Sequence, residues 1–253
     1  MSTYPVTFEA DFVEQRSRLT TFFRLLLAIP HFILLSLFGI VMFFVVVIAW
    51  FALLFTGRWP AGLYTLTAGF LRYYTRVTGY ALLLADPYPP FSIDDEPSYP
   101  VRVNIAPAQP EYDRLKVALR IFYIIPAYLI VYVMTIVAEL AAIASWLVIV
   151  ITGKQPKGLQ DVIGLAVSYT ARAYALFMLL TETYPPFNDD QSRQIGEPAP
   201  ATPLPQQPAP VTAPEVPAGF EPPAPPPPPP PVAPEPPAGD DPPPGPFGPS
   251  STA

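Results

Sequence analysis

The sequence predicts an all-α integral membrane protein: four transmembrane helices arranged as two tandem parallel-repeat hairpins, with a disordered Pro-rich tail behind them. Three observations predict it. The 253 residues are 51% hydrophobic and only 13% charged, and mean hydropathy is positive, a balance foreign to ordinary soluble domains. Residues 32–55 hold no charge and residues 127–151 hold one, Glu139, so each run covers about 36 Å of helix against a hydrocarbon core of about 30 Å. Finally, residues 18–91 align with 114–187 without a gap, with 21 of 74 positions identical.

The repeat fixes the domain organisation: a first membrane repeat over 1–91, a linker over 92–112, a second membrane repeat over 113–187 and the tail over 188–253. Each repeat opens with a short extended piece, Val6-Thr7-Phe8 or Val101-Arg102-Val103-Asn104-Ile105, and the two pieces are candidates for a small sheet. A basic amphipathic turn follows, Arg16 to Arg24 or Arg114 to Arg120. The first spans run over about 31–55 and 127–151, with Pro30 and Pro126 marking a kink or a first turn. Gly57 and Gly153 stand where a left-handed C′ residue ends a helix, and Pro60 and Pro156 where the next begins, so these four residues form the hairpin turns. The return spans cover about 63–85 and 159–180. They are less apolar, and a helix lying at the lipid surface is the alternative reading for them. Tyr88-Pro89-Pro90-Phe91 and Tyr184-Pro185-Pro186-Phe187 then stop the return helices. Tyr88, Phe91, Tyr184 and Phe187, with Trp50 and Trp146, are expected to anchor at the membrane interface.

An even number of spans puts both termini on one side. That side holds Arg16, Arg18, Arg24, Arg102, Arg114, Lys116, Arg120 and Arg193, against Arg58, Lys154 and Lys157 in the turns, which favours cytoplasmic termini. The tail carries one Arg, eight acids and 25 of the 39 prolines. Such a composition favours extended, unpacked chain, and its proline spacing suits a protein partner's aromatic groove.

Within the spans, Glu139 lies 12 residues before Ile151 and Arg172 lies 13 after Leu159, so an antiparallel hairpin brings them to nearly one depth and predicts a buried ion pair or a pair bridged by water. Arg76 has the depth of Arg172, but Phe43 replaces the glutamate. Arg72 and Arg76 share a helix face and have three options: a second contact to Glu139, snorkelling, or an anionic lipid headgroup. His31, replaced by Ala127 in the second repeat, reads as an interface residue rather than a base.

The chain has no cysteine and a single histidine, which removes disulfides, thiolate metal sites and cysteine nucleophiles. No cofactor and no metal is predicted, no catalytic constellation is seen, and nucleic-acid binding has no basic surface to support it.

At the level of motifs the chain resembles the uncharacterised bacterial membrane proteins with the domain of unknown function DUF4389, typical of actinobacteria. The resemblance is carried by Tyr4-Pro5-Val6, Arg24 to His31, Trp50-Phe51-Ala52, Thr56-Gly57-Arg58-Trp59-Pro60 and Tyr88-Pro89-Pro90-Phe91. It implies an integral plasma-membrane protein and supplies no catalytic or binding residues. The function expected from all this is a non-enzymatic membrane scaffold or envelope-associated adaptor, with the bilayer as first partner and homo-oligomerisation compatible with it. The alternative is a small transporter or channel-like oligomer that uses Glu139 and Arg172.

Overall fold

The computed structural model describes residues 4–186; Phe187 and the tail lie outside them. Eight elements follow in order: strand β1 (Val6–Ala10), the single helical turn α1 (Arg18–Phe22), long helix α2 (Arg24–Thr56), α3 (Ala61–Ala81), β2 (Val101–Ile105), a second short helix α4 (Arg114–Ala118), long helix α5 (Arg120–Thr152) and α6 (Lys157–Phe177).

The two extended segments pair as an antiparallel ribbon, with Val6 opposite Ile105, Phe8 opposite Val103 and Ala10 opposite Val101. Alternation along each strand buries Val6, Phe8, Ala10, Val101 and Val103 on one face and turns Glu9, Arg102 and Asn104 outward. On the outer face Arg102 bridges Glu9 at 3.1 Å and Asp11 at 2.8 Å. The buried face packs on α3 and α6, β2 against α3 and β1 against α6.

α3 therefore carries the ribbon on one side. The Cβ position of Gly79 lies 3.0 Å from the Val101 side chain. Nine residues earlier, and so half a revolution round the helix, Phe70 packs against Met42 and Val45 of α2. The order through the molecule is ribbon, then the α3/α6 pair, then the long helices. α3 and α6 run antiparallel: Trp59, before α3, donates to Leu179 O past the end of α6, and Arg16 bridges Leu84 O past the end of α3 to Gln160 at the start of α6.

Four transmembrane helices in two hairpins are not what this chain builds. Among the described residues, only α2 and α5 are helices long and apolar enough to cross a membrane. α3 and α6, expected as return spans, are covered by protein: Arg76 and Arg172 are buried, as are Thr67, Thr75, Ser168 and Thr170. The apolar stretches at the ends of these helices serve a protein interior instead of lipid, with Leu83, Leu84, Ala85, Leu179 and Leu180 in the main core. The long helices also begin earlier than expected, at Arg24 and Arg120, so Pro30 and Pro126 fall at the seventh helical position. Both prolines lack the N–H that would bond back one turn, a loss that long flanking helix tolerates.

The hairpin turns explain why entrances and turns cannot lie across a bilayer from each other. Gly57 and Gly153 close α2 and α5 in left-handed conformation, at φ 70° and 76°. The Tyr112 N–H, in the approach to the second repeat, donates to Gly57 O at 2.8 Å. The Arg16 N–H, in the approach to the first, donates to Gly153 O at 2.9 Å. Lys154 adds an ion pair to Glu14 at 3.0 Å, and Arg58 one to Glu111 at 3.3 Å. Each repeat thus lays its leading arm on the other repeat's turn. The indoles fasten the same exchange: Trp50 Nε1–H donates to Val117 O in α4, and Trp146 Nε1–H to Thr21 O in α1.

Arg24 and Arg120 lock each long helix to the end of its own partner helix. Arg24 donates to Tyr80 O and Ala85 O and pairs with Asp86; Arg120 donates to Leu176 O and Thr181 O. Leu83 and Leu179, which lie between the accepting carbonyls in sequence, are both at positive φ (68° and 64°). A leucine costs on the order of 1 kcal/mol there relative to right-handed backbone, and burial of both side chains offsets it.

One contact in this layer is tight enough to test. A Cβ on Gly69 would meet Ile93 O at 2.8 Å, a backbone atom that cannot swing away. Gly69→Ala is expected to destabilise the fold by about 1–3 kcal/mol, measured as a lowered denaturation midpoint of the purified protein, whereas Gly62→Ala, with open space at its Cβ, should be near neutral or slightly stabilising.

Candidate membrane interface

α2 buries one narrow stripe. Arg24, Ala28, His31, Met42, Val45, Ala49 and Leu53 are buried at spacings of three, four and, from His31 to Met42, eleven, all of which keep to a single packed face. Most of the rest of the helix is turned outward and is apolar: Leu26, Ile33, Leu37, Ile40, Phe44, Ile48 and Phe55 are all exposed. α5 repeats the pattern, with Ala127, Val131, Ala138, Ala141, Ser145 and Ile149 inward and Tyr132, Ile136, Leu140, Ile143, Leu147 and Ile151 outward. Contiguous exposure on this scale marks an interface with something other than water.

The opposite surface is polar. Beyond the ribbon's ion pairs, the loop after α3 carries Asp94 and Asp95 into solvent. Exposed cations also line the rim beside the long helices, with Arg18 on α1 and Arg114 and Lys116 on α4.

Arg172 is buried in α6, donates to Ser168 Oγ at 2.8 Å and lies 6.0 Å from the Tyr4 ring centroid. Glu139 is exposed on α5, and no ion pair joins it to Arg172 among the described residues. Depth along two helices sets their separation along the axis only; Glu139 points away from the stripe that meets α6. Arg76 donates to Ser92 O and Asp94 O and so holds the loop that follows Tyr88-Pro89-Pro90-Phe91. Burial lowers its pKa, and Glu96 and Asp95 oppose the shift. Arg72 is half-buried and does not reach Glu139. Trp50 and Trp146 join the two repeats as described above. Tyr184 and Tyr88 are exposed over part of their surface, and Phe187 lies outside the described residues.

Tyr88 and Phe91 have a second role that the motif alone did not disclose. They fold over His31, which is fully buried. Phe91 stacks on the imidazole at 4.1 Å between centroids and 16° between planes, and Tyr88 lies at 4.7 Å. Beneath, His31 Nδ1 is hydrogen-bonded to the Tyr73 hydroxyl at 2.6 Å. Burial raises the Tyr73 pKa to about 12, so this phenol stays protonated. The signal in the sequence was one difference between the repeats beside one identity: His31 is replaced by Ala127, while Tyr73 is kept as Tyr169.

Elsewhere the buried charges are structural. Burial lowers the Arg16 pKa and Asp86 opposes the shift; the side chain spends its donors on Leu84 O and Gln160. Among the described residues no cluster of His, Asp or Glu has the spacing to hold a metal ion.

The His31 box yields a thermodynamic test. His31→Ala and Tyr73→Phe should each destabilise the protein, and the double variant should cost less than their sum, with a coupling of about 1 kcal/mol or more in a double-mutant cycle of denaturation free energies. Additive losses would show that the hydrogen bond contributes nothing.

The family model described as domain of unknown function (DUF4389) matches residues 18–92 and again 114–188. The matched stretches make up more than half of the chain, which therefore belongs to this family. No curated protein and no solved structure matches it.

Proposed function

We propose that this DUF4389 protein is a non-enzymatic membrane scaffold that sits in one leaflet of the bilayer. α2 and α5 lie along the membrane plane, and the ribbon faces water. The observation that carries the reading is the polarity of the two outer surfaces: charged ribbon on one side of the α3/α6 pair, and on the other long helices whose exposed faces are apolar but for a single charge, Glu139. Were α2 and α5 to cross the bilayer upright, the ribbon packed alongside would bring Glu9, Asp11 and Arg102 to mid-membrane depth, at about 2.5 kcal/mol or more for each charge. Lying flat, a helix about 10–12 Å across fits within the roughly 15 Å of hydrocarbon in one leaflet.

Two further features support the flat seat. The two repeats are related by a pseudo-twofold axis through the ribbon at the Phe8–Val103 pair. With the ribbon parallel to the membrane that axis runs along the membrane normal, and both repeats meet lipid alike. Glu139 also fits: at mid-helix an upright α5 strands it in hydrocarbon, whereas on a flat helix it need only face the flank to reach headgroups. Arg18, Arg114 and Lys116 stand at the rim, where anionic headgroups are within reach.

The transport alternative uses the charges Glu139 and Arg172, and no direct ion pair joins them among the described residues. The adaptor part of the proposal rests on composition: residues 188–253 hold 25 prolines and eight acids, a solvated handle for a protein partner, tethered to a bacterial plasma membrane on its cytoplasmic side.

The absence of cysteine makes the seat testable. Arg58→Cys, Lys154→Cys and Asn104→Cys each introduce one thiol, at the two turns and on the ribbon. With a membrane-impermeant maleimide and sealed vesicles of known orientation, all three are expected to react from the same side. Labelling of Arg58→Cys and Lys154→Cys from opposite sides would mean upright α2 and α5, and would overturn the proposal.

A further inference from the structure

The two repeats differ where the long helix meets its partner. In the second, Ala138 and Ala142 of α5 and Ala166 of α6 are small, and α5 lies close along α6. The equivalent positions in the first repeat are Met42, Val46 and Phe70. These bulky side chains wedge α2 away from α3 and leave an open groove of about 570 Å³. Its walls run along α2 from Phe32 to Val46, with Phe70 on α3 and Met178 beyond α6 opposite.

We propose that this groove holds one lipid acyl chain; the proposal rests on the leaflet seat argued above. The occupant follows from four properties. No charged residue lines the groove, so an ionic ligand has nothing to meet. The groove's polar lining is limited to Ser36, Tyr74, Thr78 and Tyr174, and Ser36 is engaged in donating to Phe32 O. The run from Phe32 to Val46 is about 21 Å of helix, long enough to take an acyl chain laid lengthwise beside α2 in the membrane plane, and the volume lies in the range of small-molecule sites. Lastly, Phe32 and Phe43 belong both to the groove and to the exposed face of α2, so the groove opens directly onto the surface assigned to lipid. The headgroup then lies outside, and selection falls on the chain.

Gly39 provides the means of testing it. It lines the groove, and a Cβ built there meets nothing within 4 Å. Gly39→Phe therefore plugs the groove without a backbone clash, and Gly39→Leu is a smaller plug. The probe is a phosphatidylglycerol with a photoactivatable diazirine on a sixteen-carbon chain, added to vesicles of the unlabelled lipid that contain the full-length protein. After irradiation, adducts in the wild type are expected on the peptides around Gly39 and Phe70, at least tenfold above the exposed faces of α2 and α5. Gly39→Phe should lower them at least fivefold and Gly39→Leu by less. Thr135→Phe, at the equivalent position of α5, should leave them unchanged. Adducts spread evenly along both long helices, adducts insensitive to Gly39→Phe, absent adducts, or crosslinks joining two copies at Gly39 would each overturn the proposal. Failure of the leaflet seat is read separately, in the side from which the maleimide reacts; the same probe in detergent micelles reports the groove when that seat is wrong.

Discussion

Neither repeat of this protein closes on itself. The arm that precedes each long helix is held by the other repeat, through the backbone bonds Tyr112 to Gly57 and Arg16 to Gly153 and through the indoles of Trp50 and Trp146. Every larger feature depends on this exchange. It makes α3 and α6 antiparallel neighbours, pairs the two leading strands into one ribbon, and leaves α2 and α5 free to spend most of their surface on something outside the protein. Glycine is required at both turns because the left-handed cap must release its carbonyl to the incoming arm.

The molecule resolves the solvation problem of a very apolar chain by sorting its surfaces into layers. Charges concentrate on the ribbon, where Arg102 holds Glu9 and Asp11. Buried arginines in the middle layer are spent on carbonyls that the fold leaves unsatisfied at helix ends. Arg24 and Arg120 do this at the ends of α3 and α6, and Arg76 does it for the loop behind α3. The guanidinium suits the task because its fork reaches several acceptors at once and keeps its charge when buried. The outermost layer is left with few polar demands, since a helix satisfies its own backbone and Glu139 is the one charge exposed on the two long helices.

Much of this architecture is written locally in the sequence. Two long apolar helices, the glycines that end them and two short extended segments follow from composition and turn chemistry. What composition does not distinguish is an apolar helix surface buried in protein from one facing lipid. The segments Tyr80–Ala85 and Tyr174–Leu180 read as membrane span, yet they pack into the core beneath the ribbon. Polar positions earlier in the same helix, Arg76 and Thr75 of α3 among them, were the contrary sign, since each has a protein acceptor close by. The expected pair of Glu139 with Arg172 failed for a related reason: depth was legible from spacing, azimuth was not. The box around His31 depends on a loop folding back from residue 91 to residue 31, and no local pattern encodes that return. The groove of the first repeat was present in the sequence as a difference between repeats, Met42, Val46 and Phe70 against three alanines. Its meaning required knowing that α2 and α3 meet there.

The reciprocal embrace of the arms has a consequence for how such a protein is assembled. A polypeptide ending after the first repeat would offer an arm with no turn to grip and a turn with no arm upon it, leaving half a ribbon with a raw edge. Two such halves would complete each other as a twofold dimer, by the same contacts that here join residues of one chain. The linker over 92–112 is in that sense a suture: it converts a partnership between molecules into a fold within one, and so frees the two halves to diverge, one closing its helices tightly while the other keeps a slot between them.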